Sequence, residues 1–163
     1  MIREFIQNVK LTKYTNEPYI IFDVGSRDCT QSIEFYKEFP NSIIYAFVTN
    51  PDALETYKKY TKPYSDRITI IEGVLCDYDG EISLHPTNQQ HTNKWTQCHR
   101  LDSLMKKYGI SNVDLLWINM LPNQRLVELA ILKGLGKHLN YRICIRAECD
   151  EKTLKEIIGQ FRI

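Results

Sequence analysis

Four short stretches of the chain carry side chains that could do chemistry, and each sits where an apolar run gives way to polar residues. The first is Asp23-Val24-Gly25-Ser26-Arg27-Asp28-Cys29. A glycine there lets the backbone turn sharply and approach a ligand closely. The helix start that follows supplies free N–H groups. The dinucleotide-binding pattern needs two more glycines, and Cys29 holds the place of the second. A plain strand-to-helix turn accounts for a single glycine as well. The second stretch is Phe47-Val48-Thr49-Asn50-Pro51. An acidic side chain here would accept hydrogen bonds from both hydroxyls of a ribose. Val48 cannot, although it lies 23 residues after Gly25. Thr49 and Asn50 offer weaker contacts, and Asn50 before Pro51 favours a helix-capping role.

The third stretch runs from Leu75 to Glu81. Asp77 could hydrogen-bond an adenine amino group, with Leu75 and Cys76 beside the ring. A loop aspartate ahead of the Asp79-Gly80 turn accounts for it equally. The fourth spans Trp117 to Arg125, where Asn119 stands at a natural place for an active-site carboxylate. Asparagine positions a ligand but accepts protons poorly. His85, His91 and His99 flank a polar loop, and any of them is a candidate base, none assigned. With Cys98 they have the right types for a metal, but their spacing matches no zinc pattern, so no metal is expected. Tyr57, Tyr60 and Tyr64 alternate with Lys58, Lys59 and Lys62, a cluster able to stack single-stranded nucleic acid. A helix with an inward tyrosine and a solvated lysine face is the simpler reading. Trp117 lies within an apolar run and reads as core.

These stretches have to be held by regular elements, and the apolar pattern supplies them. Apolar strands are predicted at residues 19–24, 42–48, 67–75, 113–120 and 141–148. Helices are predicted at 30–39, from Pro51 to about Thr61, at 101–110 with Asp102 as cap, at 123–138 and at 151–159. Residues 81–85 read as a short strand, 85–100 as surface loop with a possible strand near its end, and 160–163 as a short edge strand. Residues 1–18 form a helical or extended lead-in to a single domain over 1–163. Strands alternating with helices imply an α/β fold, a mostly parallel twisted sheet with helices on both faces. Continuous apolar strands agree, because a sheet covered on both sides needs no polar face. Ligands in such sheets bind beyond the carboxyl ends of the strands. All four stretches lie there.

Composition narrows the function classes. The chain has 163 residues, 43% apolar and 25% charged, which suits one domain with a real core. Lys+Arg 21 against Asp+Glu 20 gives a net charge of +1, which argues against binding nucleic acid by bulk charge. No run has the length of a membrane-spanning helix, and the first residues lack the apolar core of a signal peptide. Five cysteines without a CxxC pair fit a reduced, cytoplasmic setting.

Taken in order, "FDVGSRDCTQSIEFYKEFPNSIIYAF", "NPDALE", "IEGVLCDYDGEISL", "HRLDSLMKKYGISNVDLLWI" and "LVELAILKGLG" resemble the FkbM family of class I S-adenosylmethionine-dependent methyltransferases. The resemblance covers residues 19–148. It implies a Rossmann-like three-layer sandwich, S-adenosylmethionine as cofactor and methyl transfer to oxygen on a small acceptor, often a sugar or glycolipid. It further implies that Gly25, Ser26 and Arg27 line the methionine and ribose part of the cofactor. Val48, Thr49 and Asn50 would lie by the ribose, Cys76 and Asp77 by the adenine, and Asn119 at the reaction centre. The chain departs from the family where Val48 replaces an acid and Asn119 replaces an aspartate. The segment between "GEISL" and "HRLDSL" is short. Each departure lies at the ligand edge and none in the core pattern. A methyltransferase-fold protein without activity, serving as a binding or scaffold module, is the alternative.

Overall fold

The computed structural model describes residues 2–11, 19–26, 28–48, 51–84, 94–119 and 139–146, with Lys152 and Glu156 in helical conformation. The predicted helix at 123–138, the edge strand at 160–163 and most of the helix at 151–159 lie outside the described residues.

The central strand is β1 (Ile20–Val24). It pairs in parallel with β2 (Ile43–Val48) on one side and β7 (Val113–Ile118) on the other. β2 pairs in parallel with β3 (Ile68–Glu72), and β7 with β8 (Leu139–Arg146). The resulting five-stranded sheet has the order β3-β2-β1-β7-β8. Chain order therefore reverses at β1, next to β7, which makes that edge a topological switch point.

Alternation along the strands assigns the two faces. Phe22, Val24, Phe47, Leu116 and Ile118 pack with Leu101, Leu104 and Met105 of α4 (Leu101–Lys107). Ile21, Ile44, Leu115 and Trp117 pack on the opposite face with Ile6 and Val9 of α1 (Ile2–Leu11) and Phe35 of α2 (Thr30–Glu38). Helices thus cover both faces, which is the three-layer arrangement expected. Each fully buried side chain of this kind stabilises the fold by about 1.5–3 kcal/mol. Trp117 is core, 2% exposed, with Phe5 and Phe35 edge-on to its ring.

Two polar devices fix the layers. Asp114 Oδ2 accepts the amides of Tyr19 and Ile20 at 3.1 and 2.8 Å and so sets the start of β1. The Arg67 guanidinium donates to the carbonyls of Tyr36, Phe39 and Ser42 at 2.7, 2.9 and 2.9 Å, which closes the carbonyl end of α2. It also lies 3.7 Å from the centre of the Tyr36 ring.

Three expectations need correction. The apolar run at 67–75 is not one strand, because Gly73, with φ 145°, diverts the chain. β4 (Val74–Leu75) then joins a second sheet of order β4-β6-β5. Its other members are β5 (Gly80–Leu84), the short strand expected there, and β6 (Lys94–His99), the strand expected near the end of the polar run. The second predicted helix begins as a 3-10 turn, Pro51–Ala53, before α3 (Leu54–Thr61). Asp102 does not cap α4: Arg100 is the N-cap residue, and no side-chain hydrogen bond caps it.

Candidate functional site at the carboxyl edge of the sheet

The strand registers bring the predicted residues to one level. Val24 lies opposite Phe47 and Ile118, and Val48 lies opposite Glu72. One residue further, Gly25 stands between Val48 and Asn119. Adjacent strands are about 4.8 Å apart, so this row spans roughly 10 Å. The Asn119 amide donates to the Val24 carbonyl at 3.0 Å, and the Gly73 amide to the Val48 carbonyl at 3.1 Å. Gly25, Val48, Gly73 and Asn119 therefore form a continuous edge. Arg27, Thr49 and Asn50 lie outside the described residues.

Gly25 has φ 78°, a left-handed turn that glycine adopts without a steric cost. Ser26 is buried, and its Oγ accepts the Cys29 amide at 3.1 Å. Cys29 has φ 59° and ψ 13°, the conformation a glycine would take there. The sequence placed Cys29 at a glycine position, and the backbone bears the strain of that exchange. Non-glycine residues in this region cost about 1–2 kcal/mol.

Val48 offers a ligand no side-chain surface. Its side chain points to the α2 and α3 face and is enclosed with Cys29, Ala46 and Tyr57. Only its backbone remains at the tip. Cys76 is 7% exposed, and its thiol donates to the Tyr78 carbonyl at 3.0 Å. Burial pushes that thiol up to about 11. Asp77 is exposed and Asn119 half-buried. His99 ends β6, and its ring lies against Gly73: a Cβ on that glycine would meet His99 Cδ2 at 3.1 Å. His85 and His91 lie outside the described residues.

The sequence reading missed one residue of this edge. Asp23, penultimate in β1, is fully buried, and its Oδ2 accepts the Ser32 hydroxyl at 2.6 Å. Oδ1 has no hydrogen-bond partner among the described residues. The Ser26 hydroxyl and Ser32 amide approach the carboxyl and favour its charge without reaching bonding geometry. Burial outweighs them and pushes the group up to about 6. A lone acid inside the apolar run "YIIFDV" was the available signal, because unpaired acids are seldom buried.

The tyrosine-lysine cluster is not a stacking platform of three rings. Tyr57 is buried and Tyr64 packs edge-on to Tyr36 at 5.0 Å, which leaves Tyr60 exposed at 59%. No group of metal-ligating side chains occurs among the described residues. No helix among them is long and apolar enough to cross a membrane.

Comparison with known proteins places this architecture. No protein-family model matches the chain. It is 21% identical over 128 residues to the 2-O-methyltransferase NoeI of Sinorhizobium fredii, a match to 62% of this chain. The chain spans about half the length of that relative, 52%. A putative caffeoyl-CoA O-methyltransferase from Staphylococcus aureus superposes with a TM-score of 0.58 at 11% identity, over 97% of this chain and 69% of that one. A precorrin-6y C5,15-methyltransferase from Geobacter metallireducens gives 0.55 at 17% identity, over 97% and 65%. The chain has the Rossmann-like fold of the class I methyltransferases.

Proposed function

We propose that the chain is an S-adenosylmethionine-dependent O-methyltransferase of the FkbM type, acting on a sugar, glycoconjugate or similar small hydroxylated acceptor in a reduced, cytoplasmic setting. The observation that carries this reading is the level row Val48, Gly25, Asn119 at the switch point, with the left-handed turn at Gly25. The likeness to NoeI, a 2-O-methyltransferase, supports oxygen as the acceptor atom.

The residues fit the cofactor on one side and not on the other. Asp23 Oδ1, buried without a partner among the described residues, suits a ligand that brings a cationic amino group. The second strand offers no carboxylate for a ribose. Gly25, Ser26 and Arg27 would hold the methionine end. The backbone from Val48 to Asn50 would lie along the ribose, and Cys76 and Asp77 along the adenine. Asn119 would orient the acceptor. The cofactor brings an activated methyl group, and the protein's part is alignment and proton removal. His99 is the histidine that the described residues bring to this edge, and it is our candidate for that proton.

A second reading has one observation in its favour. Cys29 and Val48 close on each other and on Tyr57 behind the tip of β2. A fold kept intact around such a closed tip is what a binding or scaffold module would retain. Calorimetric titration with S-adenosylmethionine and with S-adenosylhomocysteine separates the two. The enzyme reading expects saturable heat from both ligands. Silence at millimolar ligand leaves only the scaffold.

A further inference from the structure

The motifs "DGE" and "RLDSL" have no role in the site as described, yet the structure joins them. The Arg100 amide donates to Asp79 Oδ1 at 2.9 Å, and the Ser103 hydroxyl donates to Asp79 Oδ2 at 2.6 Å. The Arg100 guanidinium holds both oxygens of Asp102 at 2.9 Å and reaches the Asp77 carbonyl at 3.3 Å. The Ser103 hydroxyl and the Arg100 amide hold the Asp79 carboxyl below its usual range. The Cys76 amide is tied to the His99 carbonyl at 3.0 Å. Cys76, Asp77 and Asp79 are thus fastened to the β6–α4 corner, and Tyr78 is held within the loop by the Cys76 thiol.

This corner does little for global stability, because its ions are partly exposed; Arg100 and Asp102 side chains are 37% and 27% accessible. Its geometry instead fixes a loop. A planar guanidinium that grips a carboxylate with two bonds holds a further N–H in a fixed direction for a carbonyl, where the donors of an ammonium rotate freely. An exposed loop of four residues without such ties would sample many conformations, and a ligand would have to order it on binding.

We propose that Arg100 is a positioning residue for the nucleoside end of the site. Its guanidinium, braced by Asp102, holds the Asp77 carbonyl while its backbone amide holds Asp79, and together they keep the Cys76–Asp79 loop in the conformation that receives an adenine. This rests on the cofactor reading above. It also gives the two motifs one shared task, although 20 residues separate Asp79 and Arg100 along part of the chain that includes β5 and β6.

The test is calorimetric titration of the full chain with S-adenosylhomocysteine and separately with adenosine. Wild type is compared with Arg100→Gln and Ser103→Ala, each with a melting curve. Arg100→Gln is expected to weaken both ligands by the same factor, about tenfold. Ser103→Ala removes one hydrogen bond and is expected to weaken both by about threefold. It decides the matter if Arg100→Gln does not fold. A variant that melts lower but binds as tightly as wild type would show a merely structural role and overturn the proposal alone. Weaker S-adenosylhomocysteine with unchanged adenosine would overturn it too, because the effect would lie at the other end of the ligand. A wild type silent to both ligands overturns this proposal together with the cofactor reading.

Discussion

Replacing Asp23 with Asn should leave stability nearly unchanged in acid and raise it at neutral pH. Asp23 is buried between β1 and α2, with one oxygen on the Ser32 hydroxyl at 2.6 Å. Burial lifts its carboxyl from 3.8 to about 6; the Ser32 and Ser26 side chains oppose the rise, and the nearby Asp28 charge adds to it. The folded protein therefore binds this proton more tightly than the unfolded chain does. Between those two pH values the native state holds more protons, so the contribution of Asp23 to stability falls as pH rises. Below the lower value the penalty is absent, and above the upper one it is complete. The gap between the two values corresponds to about 3 kcal/mol. Asparagine keeps the acceptor for Ser32 and carries no charge. For a chain of this size the variant should gain about 6–12 °C in Tm on wild type between roughly pH 4 and pH 7.5. Urea denaturation of both proteins across that range gives the same comparison at constant temperature. A wild-type-to-variant gap that does not change with pH would refute the assignment.

Other substitutions probe the remaining supports. Arg67→Ala strips the donors from the Tyr36, Phe39 and Ser42 carbonyls and should cost about 2–4 kcal/mol in chemical denaturation; a loss under about 1 kcal/mol would contradict its role in closing α2. Gly73→Ala places a Cβ 3.1 Å from His99 Cδ2 at φ 145°, and a drop of about 1–2 kcal/mol is expected from melting curves. Cys29→Gly relieves a left-handed cysteine but loses a buried side chain, so stability should change by less than about 1 kcal/mol. The same variant opens the wall it shares with Val48, and S-adenosylhomocysteine should bind it more tightly; equal or weaker binding would show that Cys29 does not limit the slot.

The parallel sheet was legible because β1, β2 and β7 are buried on both faces and so carry apolar runs interrupted only by Asp23 and Asp114. The amphipathic spacing of Ile33, Phe35, Tyr36 and Phe39 marked α2 for the same reason. The small sheet was legible only in part: β5 and a strand at the end of the polar run were expected, and their pairing with β4 was not. The run from Arg67 to Leu75 carries apolar residues on both sides of Glu72-Gly73, and the backbone angle at Gly73 divides it between two sheets. β6 is polar in sequence, and its partners β4 and β5 are set by register rather than by any apolar alternation. At the site, the positions of Gly25, Val48 and Asn119 followed from strand ends. The direction of the Val48 side chain did not, because it depends on which residues of β2 face α2 and α3. Asp102 carried a capping signal, but it lies inside α4, where its oxygens hold the Arg100 guanidinium and its Oδ1 also accepts the Ser103 amide. A single sequence does not show which local partner wins.

The proposed function requires a nucleoside slot along the tips of β1, β2 and β3 with Asn119 beside it. Backbone amide shifts in a ¹⁵N-labelled sample, followed as S-adenosylhomocysteine is added, test this most directly. Amides of Gly25, Ser26, Val48, Gly73, Cys76, Asp77 and Asn119 should move together along one saturation curve. Shifts confined to another face, or none at millimolar ligand, would contradict it.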